Sequence, residues 1–289
     1  MRLLSLGRRD IQSIMSGKKV AILATSADKM GDHATGAWSE EITGSYYAFV
    51  DAGCTVTIYS VKGGKITIDA GSLSDNFKTE NDKRFETSGD IAKLETSAAM
   101  ATIKADEIDC IYLAGGHGTC VDFPTDEVGA LVTDVYAKGK VVGAVCHGSM
   151  GLVKAKDGDK ALVAGKKIAA FSDVEEGQVT ILRWLGLGLG LGLGLGLGLG
   201  LASALAFSDV EEGQGRLLNP NPNPNPDPDQ VGLTEKVPFL LEARMKELGC
   251  EYVAGDAWSV TTVRDGKLCT GQNPQSSVKV AQLCLEALA

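Results

Sequence analysis

Cys146 and His147 follow a β-branched apolar run in the segment KVVGAVCHGSM at 140–150. Small residues stand two positions before and two positions after the cysteine, at Ala144 and Gly148. A strand that turns sharply into a helix holds a nucleophile in a crowded conformation and needs small neighbours at those positions. The pattern predicts a nucleophile elbow at Cys146, where the first amides of the following helix would favour the thiolate. The alternative is an inert cysteine of the core.

A glycine-rich segment, LAGGHGT at 113–119, ends the preceding apolar run. Its glycines let the backbone approach a ligand closely, so Gly115, Gly116 and His117 are candidate substrate-binding residues. The N–H of Gly116, paired with the N–H of His147, would form an oxyanion hole. A simple tight turn between strand and helix is the alternative.

Acidic residues in two segments are candidates for proton transfer. A carboxylate must fix the tautomer of His147 if that ring is to act as a base. The segment FSDVEE at 171–176 supplies three: Asp173, Glu175 and Glu176. Acidic residues at a helix start can equally be partners of the helix dipole. Glu40 and Glu41, in TGAWSEEITG, form a second pair, and a carboxyl near a thiolate has a raised pKa and can shuttle protons.

Short β-rich runs alternate with longer amphipathic segments, which predicts a parallel sheet with helices on both faces. The predicted strands lie in KKVAILAT (18–25), CTVTIYS (54–60), DCIYLAG (109–115), KVVGAVC (140–146) and KKIAAF (166–171), and the predicted helices cover 38–52, 126–138, 233–248 and 275–288. Thr234 is the expected N-cap of the third helix and Gly249 its stop. The fold class is therefore α/β, a flavodoxin-like doubly wound sheet with the elbow after a central strand and the motifs at one rim.

The segment 179–230 breaks this alternation. It contains strict Leu-Gly and Asn-Pro repeats, and the nine residues AFSDVEEGQ at 170–178 recur identically at 206–214. Such repeats indicate a low-complexity insertion rather than a structural unit. We therefore expect an N-terminal extension (1–17), one α/β domain (18–178 and 231–289) and an insertion (179–230). The glycines of the repeat make a membrane-spanning helix unfavourable.

Composition limits the classes of partner. A net charge of −9 without a basic cluster argues against nucleic-acid binding. The seven cysteines are odd in number and contain no CxxC pair, which favours reduced thiols in the cytoplasm over a disulfide framework or a zinc site.

Seven segments together resemble the class I glutamine amidotransferase-like superfamily: TGAWSEE, AGCTVTIYSVKGG, YLAGGHGT, AVCHG, FSDVEE, VGLTEKVPFLLE and DGKLCTGQNPQSS. The resemblance covers residues 18–178 and 231–288. Within the superfamily they are similar to the branch of heat-shock-type chaperones and glutathione-independent glyoxalases, relatives of the intracellular protease PfpI and the Parkinson-disease deglycase.

The resemblance implies a catalytic Cys-His-Glu triad at Cys146, His147 and Glu176, assisted by Glu41, with no metal or organic cofactor. It implies conversion of methylglyoxal and similar 2-oxoaldehydes to hydroxy acids, and a homodimer. The charge and the glycine-rich repeat, rather than the resemblance, lead us to expect neither a nucleic-acid nor a membrane partner. Because the motif is duplicated, Glu212 is an alternative to Glu176 as the triad acid. We favour Glu176, since its copy directly continues the run KKIAA.

Other activities stay open on the sequence alone. An ATP-independent holdase would use exposed apolar surface, to which the Leu-Gly tract would add. A deglycase or cysteine peptidase would use the same Cys-His pair, and the insertion could have disabled the site.

Overall fold

A seven-stranded sheet lies at the centre of the protein. The computed structural model describes residues 8–184 and 237–289. The described strands are β1 (Lys19–Ala24), β2 (Lys29–Met30), β3 (His33–Ala34), β4 (Thr55–Ser60), β5 (Ala98–Ala99), β6 (Cys110–Leu113), β7 (Val141–Val145), β8 (Lys156–Asp157), β9 (Lys160–Ala161), β10 (Lys167–Ile168), β11 (Glu251–Tyr252), β12 (Thr262–Asp265) and β13 (Leu268–Gly271). The order across the sheet is β12-β13-β7-β6-β1-β4-β5, and its neighbouring strands are parallel except for β12 and β13.

The central strands are apolar because both faces of the sheet are covered. All residues of β6 and β7 are buried, as are five of the six in β1. Parallel strands buried on both faces are nearly continuous apolar runs, and β7 (VVGAV) and β6 (CIYL) follow that pattern. Four of the five predicted runs form β1, β4, β6 and β7, which confirms the predicted α/β sheet.

The fifth predicted run, KKIAAF, does not join the sheet. Its strand β10 pairs with β11 in a separate two-stranded sheet. The place beside β7 is taken by β13, which forms a hairpin with β12 near the C-terminus. The run still lies against the sheet, since the N–H of Ala169 donates to Thr270 Oγ1 of β13 at 3.0 Å. This contact places residues 170–176 next to the end of β7.

Helices cover the sheet. The α-helices are α1 (Arg8–Met15), α2 (Ser39–Asp51), α3 (Glu80–Thr87), α4 (Ala92–Glu95), α5 (Thr119–Asp122), α6 (Asp126–Ala137), α7 (Asp173–Trp184), α8 (Leu241–Glu247) and α9 (Ser277–Leu288), and the 3-10 helices are Ala70–Leu73, Met100–Thr102, Ala105–Glu107, Cys146–Leu152 and Pro274–Ser276. Helices α2 and α9 pack together and contact β1 and β7 respectively, whereas α6 contacts β6 and β7. The predicted helices at 38–52, 126–138 and 275–288 correspond to α2, α6 and α9.

The predicted helix at 233–248 is described from residue 237 onward. Residues 237–240 are not helical, and the helix begins only at Leu241, as α8, and ends shortly before Gly249. Its expected N-cap, Thr234, lies outside the described residues, as do the Leu-Gly and Asn-Pro repeats and Glu212. No helix in the described parts of the chain is long and apolar enough to cross a membrane.

Helix α7 passes through the predicted boundary between domain and insertion at 178/179. It continues to Trp184, and Val179 is 4% exposed and belongs to the hydrophobic core. In the predicted N-terminal extension, α1 contributes the fully buried Met15 to the same core. The predicted domain limits stay predictions, while α1 and α7 both pack on the sheet domain.

The turn after β7 requires a glycine at 148. A Cβ on Gly148 would overlap the backbone carbonyl oxygen of Leu113 at the end of β6. The neighbouring strand is buried and cannot retreat, because Leu113 pairs with Ala144 in the sheet. This close approach fixes how the chain leaves β7.

We expect Gly148→Ala to lower the free energy of unfolding by about 3 kcal/mol, because overpacking against backbone cannot be relieved by a side-chain rotation. Urea unfolding followed by circular dichroism measures the change. Gly177→Ala is the matched control: a Cβ there would contact nothing within 4 Å, so this helical substitution should raise stability by about 1 kcal/mol. Equal behaviour of the two variants would contradict the packing argument.

Candidate active site

The backbone at Cys146 adopts a conformation that is rare for a residue with a side chain. Strand β7 ends at Val145, and Cys146 has φ +54°, in the left-handed region. The chain continues directly into the 3-10 helix Cys146–Leu152. Cys146 is 3% exposed at the carboxyl end of β7, next to the carboxyl end of β6. This is the rim at which ligands bind to open α/β sheets.

The environment of the thiol differs from the sequence expectation of a helix-stabilised thiolate. Burial raises the pKa of Cys146 well above its ordinary value, and the charge of ionised Glu41 raises the pKa further. The N–H of His147 acts in the opposite direction and is outweighed. A 3-10 helix follows in place of an α-helix. The thiol therefore depends on a nearby base to lose its proton.

His147 provides that base. Its Nδ1 lies 3.5 Å from Cys146 Sγ, and its Nε2 lies 2.7 Å from Glu176 Oε2. An ionised carboxylate accepts a hydrogen bond, so the ring proton belongs on Nε2 and Nδ1 is the free acceptor facing the thiol. Burial lowers the pKa of His147, which keeps the ring neutral. The three residues have the connectivity of a Cys-His-Glu triad.

A second histidine shares the same carboxylate. His117 Nε2 lies 3.0 Å from Glu176 Oε1. Burial alone would raise the pKa of Glu176, but the two histidines outweigh it and hold that pKa well below its ordinary value. His117 belongs to the loop predicted to bind the substrate, and nothing in its spacing indicates a contact with Glu176, 59 residues away.

Ring packing fixes the orientation of His147. Its imidazole lies between that of His117, with centroids 4.2 Å apart, and the ring of Phe171, with centroids 4.4 Å apart. Thr119 Oγ1 also donates to the carbonyl oxygens of Gly116 and His147, at 2.8 and 2.9 Å. The glycine-rich loop and the elbow are thus tied together, which holds Nδ1 against the thiol.

Glu41 is fully buried on α2 beside the Cys146 thiol. Its Oε2 accepts the N–H of Gly115 at 2.6 Å, while no described atom hydrogen-bonds its Oε1. Burial raises the pKa of Glu41 to about 8. The neighbouring Glu40 turns elsewhere, because its carboxylate accepts the hydroxyl of Thr79. Of the two predicted acids, Glu41 is the one placed to exchange a proton near the sulfur.

The other two acids of the FSDVEE segment, Asp173 and Glu175, form hydrogen bonds with residues around the site rather than with its histidines. Glu175 Oε1 accepts the backbone N–H of Trp258 at 2.7 Å and the amide of Asn273 at 2.9 Å, and its Oε2 accepts the hydroxyl of Ser172. The backbone N–H of Asp173 donates to Glu242, at the start of α8. Neither acid contacts the histidines, so Glu176 alone occupies the triad position among the three.

A small cavity opens onto the thiol. Its volume is about 310 Å³ with the open mouth included, and it is lined by Trp38, Gly116, His117, Cys146, His147, Phe171, Val179, Trp258 and Pro274. Of the predicted substrate-binding residues, Gly116 and His117 line the cavity, while Gly115 gives its N–H to Glu41. The aromatic wall was missed by sequence reasoning, although Trp38 and Phe171 lie within the quoted motifs.

Trp258 is held in that wall against its backbone preference. It has φ +63°, which is strained for a bulky residue. Two hydrogen bonds to α7 hold it there: its backbone N–H donates to Glu175, and its indole N–H donates to Gln178 at 2.6 Å. The indole and Phe171 have centroids 5.8 Å apart. Strain retained at a cavity wall indicates that the shape of the cavity matters to function.

The site also contains a set of possible metal ligands. The nitrogen atoms of His117 and His147 and a carboxylate oxygen of Glu176 all lie within 4.8 Å of one another. All three residues are buried. The arrangement suits either a hydrogen-bonded triad or the coordination of one cation.

The raised pKa of Glu41 predicts a pH-dependent difference between the native protein and Glu41→Gln. Glu41 has a pKa of about 8 when folded, against 4.5 for a glutamate exposed to water, so its contribution to stability is complete below pH 4.5 and is lost as pH rises towards 8. Glutamine does not titrate. We expect the stability of Glu41→Gln relative to the native chain to increase by about 3 kcal/mol between pH 5 and pH 8.

Urea unfolding of both proteins across that range measures the effect. All other titrating groups are common to the two proteins, so the difference isolates Glu41. A difference that stays constant from pH 5 to pH 8 would show that Glu41 is ionised throughout.

Comparison with known proteins places the chain in a family. The model of the DJ-1/PfpI family matches residues 33–182. The chain is 28% identical to the glutathione-independent glyoxalase HSP31 of Saccharomyces cerevisiae over 95% of this chain and 99% of that protein. It is 27% identical to glyoxalase 3 of Candida albicans, over 86% and 87% of the respective chains. The structure of the Rapid Encystment Protein 24 KDa of Francisella tularensis is 29% identical, with a TM-score of 0.71 over 94% of this chain and 99% of that one. The chain belongs to the DJ-1/PfpI family.

Proposed function

We propose that this protein is a glutathione-independent glyoxalase, which converts methylglyoxal and similar 2-oxoaldehydes to hydroxy acids such as D-lactate. The observation that carries the proposal is the line of Cys146, His147 and Glu176, with Sγ 3.5 Å from Nδ1 and Nε2 2.7 Å from the carboxylate. The names of two relatives that align over most of their length support the same reaction.

The first step is addition of the thiol to the aldehyde. Nδ1 of His147 takes the proton of Cys146 as Sγ bonds to C1 and the carbonyl π bond opens to an alkoxide. Transfer of that proton from the imidazolium to the oxygen gives a hemithioacetal. The N–H groups of Gly116 and His147 would stabilise the oxygen as it gains charge. The Nε2–H of His147 remains hydrogen-bonded to Glu176, whose negative charge stabilises the imidazolium formed at this moment.

The second step moves a proton from C1 to C2. Glu41 lies beside the sulfur, and its pKa of about 8 lets the carboxyl both accept and donate a proton near neutral pH. Removal of the C1 proton gives an enediol, and return of a proton to C2 gives a thioester of the hydroxy acid with Cys146. Water then cleaves the thioester and restores the thiol, so the net reaction adds one water to the 2-oxoaldehyde.

The cavity favours a small substrate. Trp38, Phe171 and Trp258 enclose the space above Cys146 with aromatic surface. The volume of about 310 Å³ includes the open mouth, so the enclosed part of the cavity is smaller still. This supports an aldehyde of a few carbon atoms over a peptide as the substrate.

The proposal extends to the triad acid, the oligomeric state, the cellular location and the partners. Glu176, rather than Glu212, acts as the triad acid, supported by its contacts with both histidines. We also propose a homodimer in the cytoplasm, with no nucleic acid or membrane partner. The free state of all seven cysteines and the net charge of −9 support that setting.

Cys146→Ala should lower D-lactate formation from methylglyoxal at least a thousandfold, because the nucleophile of the first step is absent. The assay contains neither glutathione nor added metal and measures D-lactate with a stereospecific dehydrogenase. Cys54→Ala is the matched control. Cys54 is also a buried cysteine, but it precedes β4 at the opposite end of the strands, so its loss should leave turnover unchanged.

The same assay compares lactate formation by the full chain with that by a variant that lacks residues 185–230. The deletion starts after Trp184 because Val179 lines the cavity and must stay. Lactate from both proteins would make the segment a tolerated appendage, and lactate from the deletion variant alone would show a competent site disabled by it. Absence of lactate from both would overturn the proposed function and favour the holdase.

Trp258→Gly should widen the range of aldehydes, because it removes the indole from the cavity wall and suits the positive φ. We expect kcat/KM for phenylglyoxal relative to methylglyoxal to rise about tenfold. Val260→Gly is a control from the same loop, since Val260 is 59% exposed and does not line the cavity. An unchanged ratio in Trp258→Gly would show that the wall does not select substrates.

A further inference from the structure

Glu176 is contacted by two histidines where a triad needs one. Its Oε1 and Oε2 lie 3.0 and 2.7 Å from Nε2 of His117 and of His147. Both partners are imidazoles, which carry a positive charge only when protonated. Unlike a lysine or an arginine, neither gives the carboxylate a permanent cationic partner. Two imidazole nitrogens and a carboxylate therefore converge in a buried place, and neither histidine brings a fixed positive charge.

We propose that His117, His147 and Glu176 form an inhibitory site for a single Zn²⁺ ion or a similar borderline divalent cation. Their ligand atoms lie within 4.8 Å of one another, so one ion can contact all three after small side-chain movements. Two histidines and a glutamate are a donor set that Zn²⁺ prefers. Both imidazole rings line the cavity, which gives the ion a path from solvent.

The ion would act on the proton of His147. In the metal-free site Nε2 carries the ring proton and Nδ1 is the acceptor for the Cys146 proton. A metal ion binds the lone pair of an unprotonated Nε2, so the proton of the neutral ring must move to Nδ1. Nδ1–H then faces Sγ and cannot accept a proton. No proton is gained or lost by the ring, and the base of the first step disappears.

The thiol is not part of this site. Cys146 Sγ contacts His147 on the Nδ1 side of the ring, whereas the proposed ion binds on the Nε2 side. Metal inhibition of cysteine enzymes ordinarily proceeds through the thiolate itself, which is the preferred soft ligand. In this protein, metal affinity should persist after the thiol is removed.

The test measures binding of Zn²⁺ to the full-length protein by isothermal titration calorimetry, and of Co²⁺ by its absorption spectrum. We expect one high-affinity site in the native protein and in Cys146→Ala, with no thiolate-to-cobalt charge-transfer band. His117→Asn and Glu176→Gln should each weaken binding at least tenfold. His33→Asn is the matched control, since His33 is the third histidine of the chain and lies outside the cluster.

A second measurement does not depend on any variant. ¹⁵N NMR of histidine-labelled native protein should show the proton of His147 on Nε2 before Zn²⁺ is added and on Nδ1 afterwards. Loss of the site in Cys146→Ala, native affinity in His117→Asn, or an unshifted proton would each overturn the proposal.

The inhibitory effect rests on the proposed function, whereas the binding site does not. Lactate formation that stops with one equivalent of Zn²⁺ and returns with a chelator is the expected result. If Zn²⁺ binds as described and the metal-free protein forms no lactate, the glyoxalase proposal fails and the binding site stands. If lactate forms and Zn²⁺ does not bind, the metal proposal fails alone.

Discussion

The site depends on one carboxylate, Glu176, which is shared by His147 and His117. Its negative charge is retained in a buried place because two imidazoles donate to it, and that charge decides which nitrogen of His147 carries the proton. The same contact joins three parts of the chain: the glycine-rich loop after β6, the elbow after β7 and helix α7. The geometry around Cys146 follows from that junction.

Burial acts on two glutamates of the site with opposite results. Both Glu41 and Glu176 are removed from water, which by itself favours the protonated carboxyl. Glu176 has two histidines to offset the loss, whereas Glu41 has the backbone N–H of Gly115, the Cys146 thiol and no cation among the described residues. The pair is therefore divided into a permanent anion and a carboxyl that titrates near pH 8. Divided pKa values of this kind assign one acid to orientation and the other to proton transfer.

Local patterns in the sequence were sufficient for the main sheet and the elbow. The runs of β1, β4, β6 and β7 are apolar because of their own burial, and the small residues around Cys146 are a property of one turn. Features that depend on distant pairing were not predictable. The exclusion of β10 from the sheet follows from the place that β13 takes, about 100 residues later, and the contact of His117 with Glu176 spans 59 residues.

The thiol expectation failed for a related reason. A helix start after Cys146 was inferred from the motif, but the degree of burial, which sets the pKa, is a property of the assembled core. The candidate residues Cys146, His147, Glu176 and Glu41 are all brought together, whereas the aromatic wall comes from segments as distant as Trp38 and Trp258. Sequence therefore located the reacting groups better than the space around them.

Helix α7 has a consequence for how such an enzyme can evolve. Within five residues this helix carries three kinds of side chain. Glu175 and Gln178 hold Trp258 in place, Glu176 is the triad acid, and Val179 lines the cavity. A helix moves as a rigid rod over so short a distance. A mutation that tilts or shifts α7 therefore changes turnover and substrate range together, so a displacement of this helix cannot adjust one of these traits without altering the other.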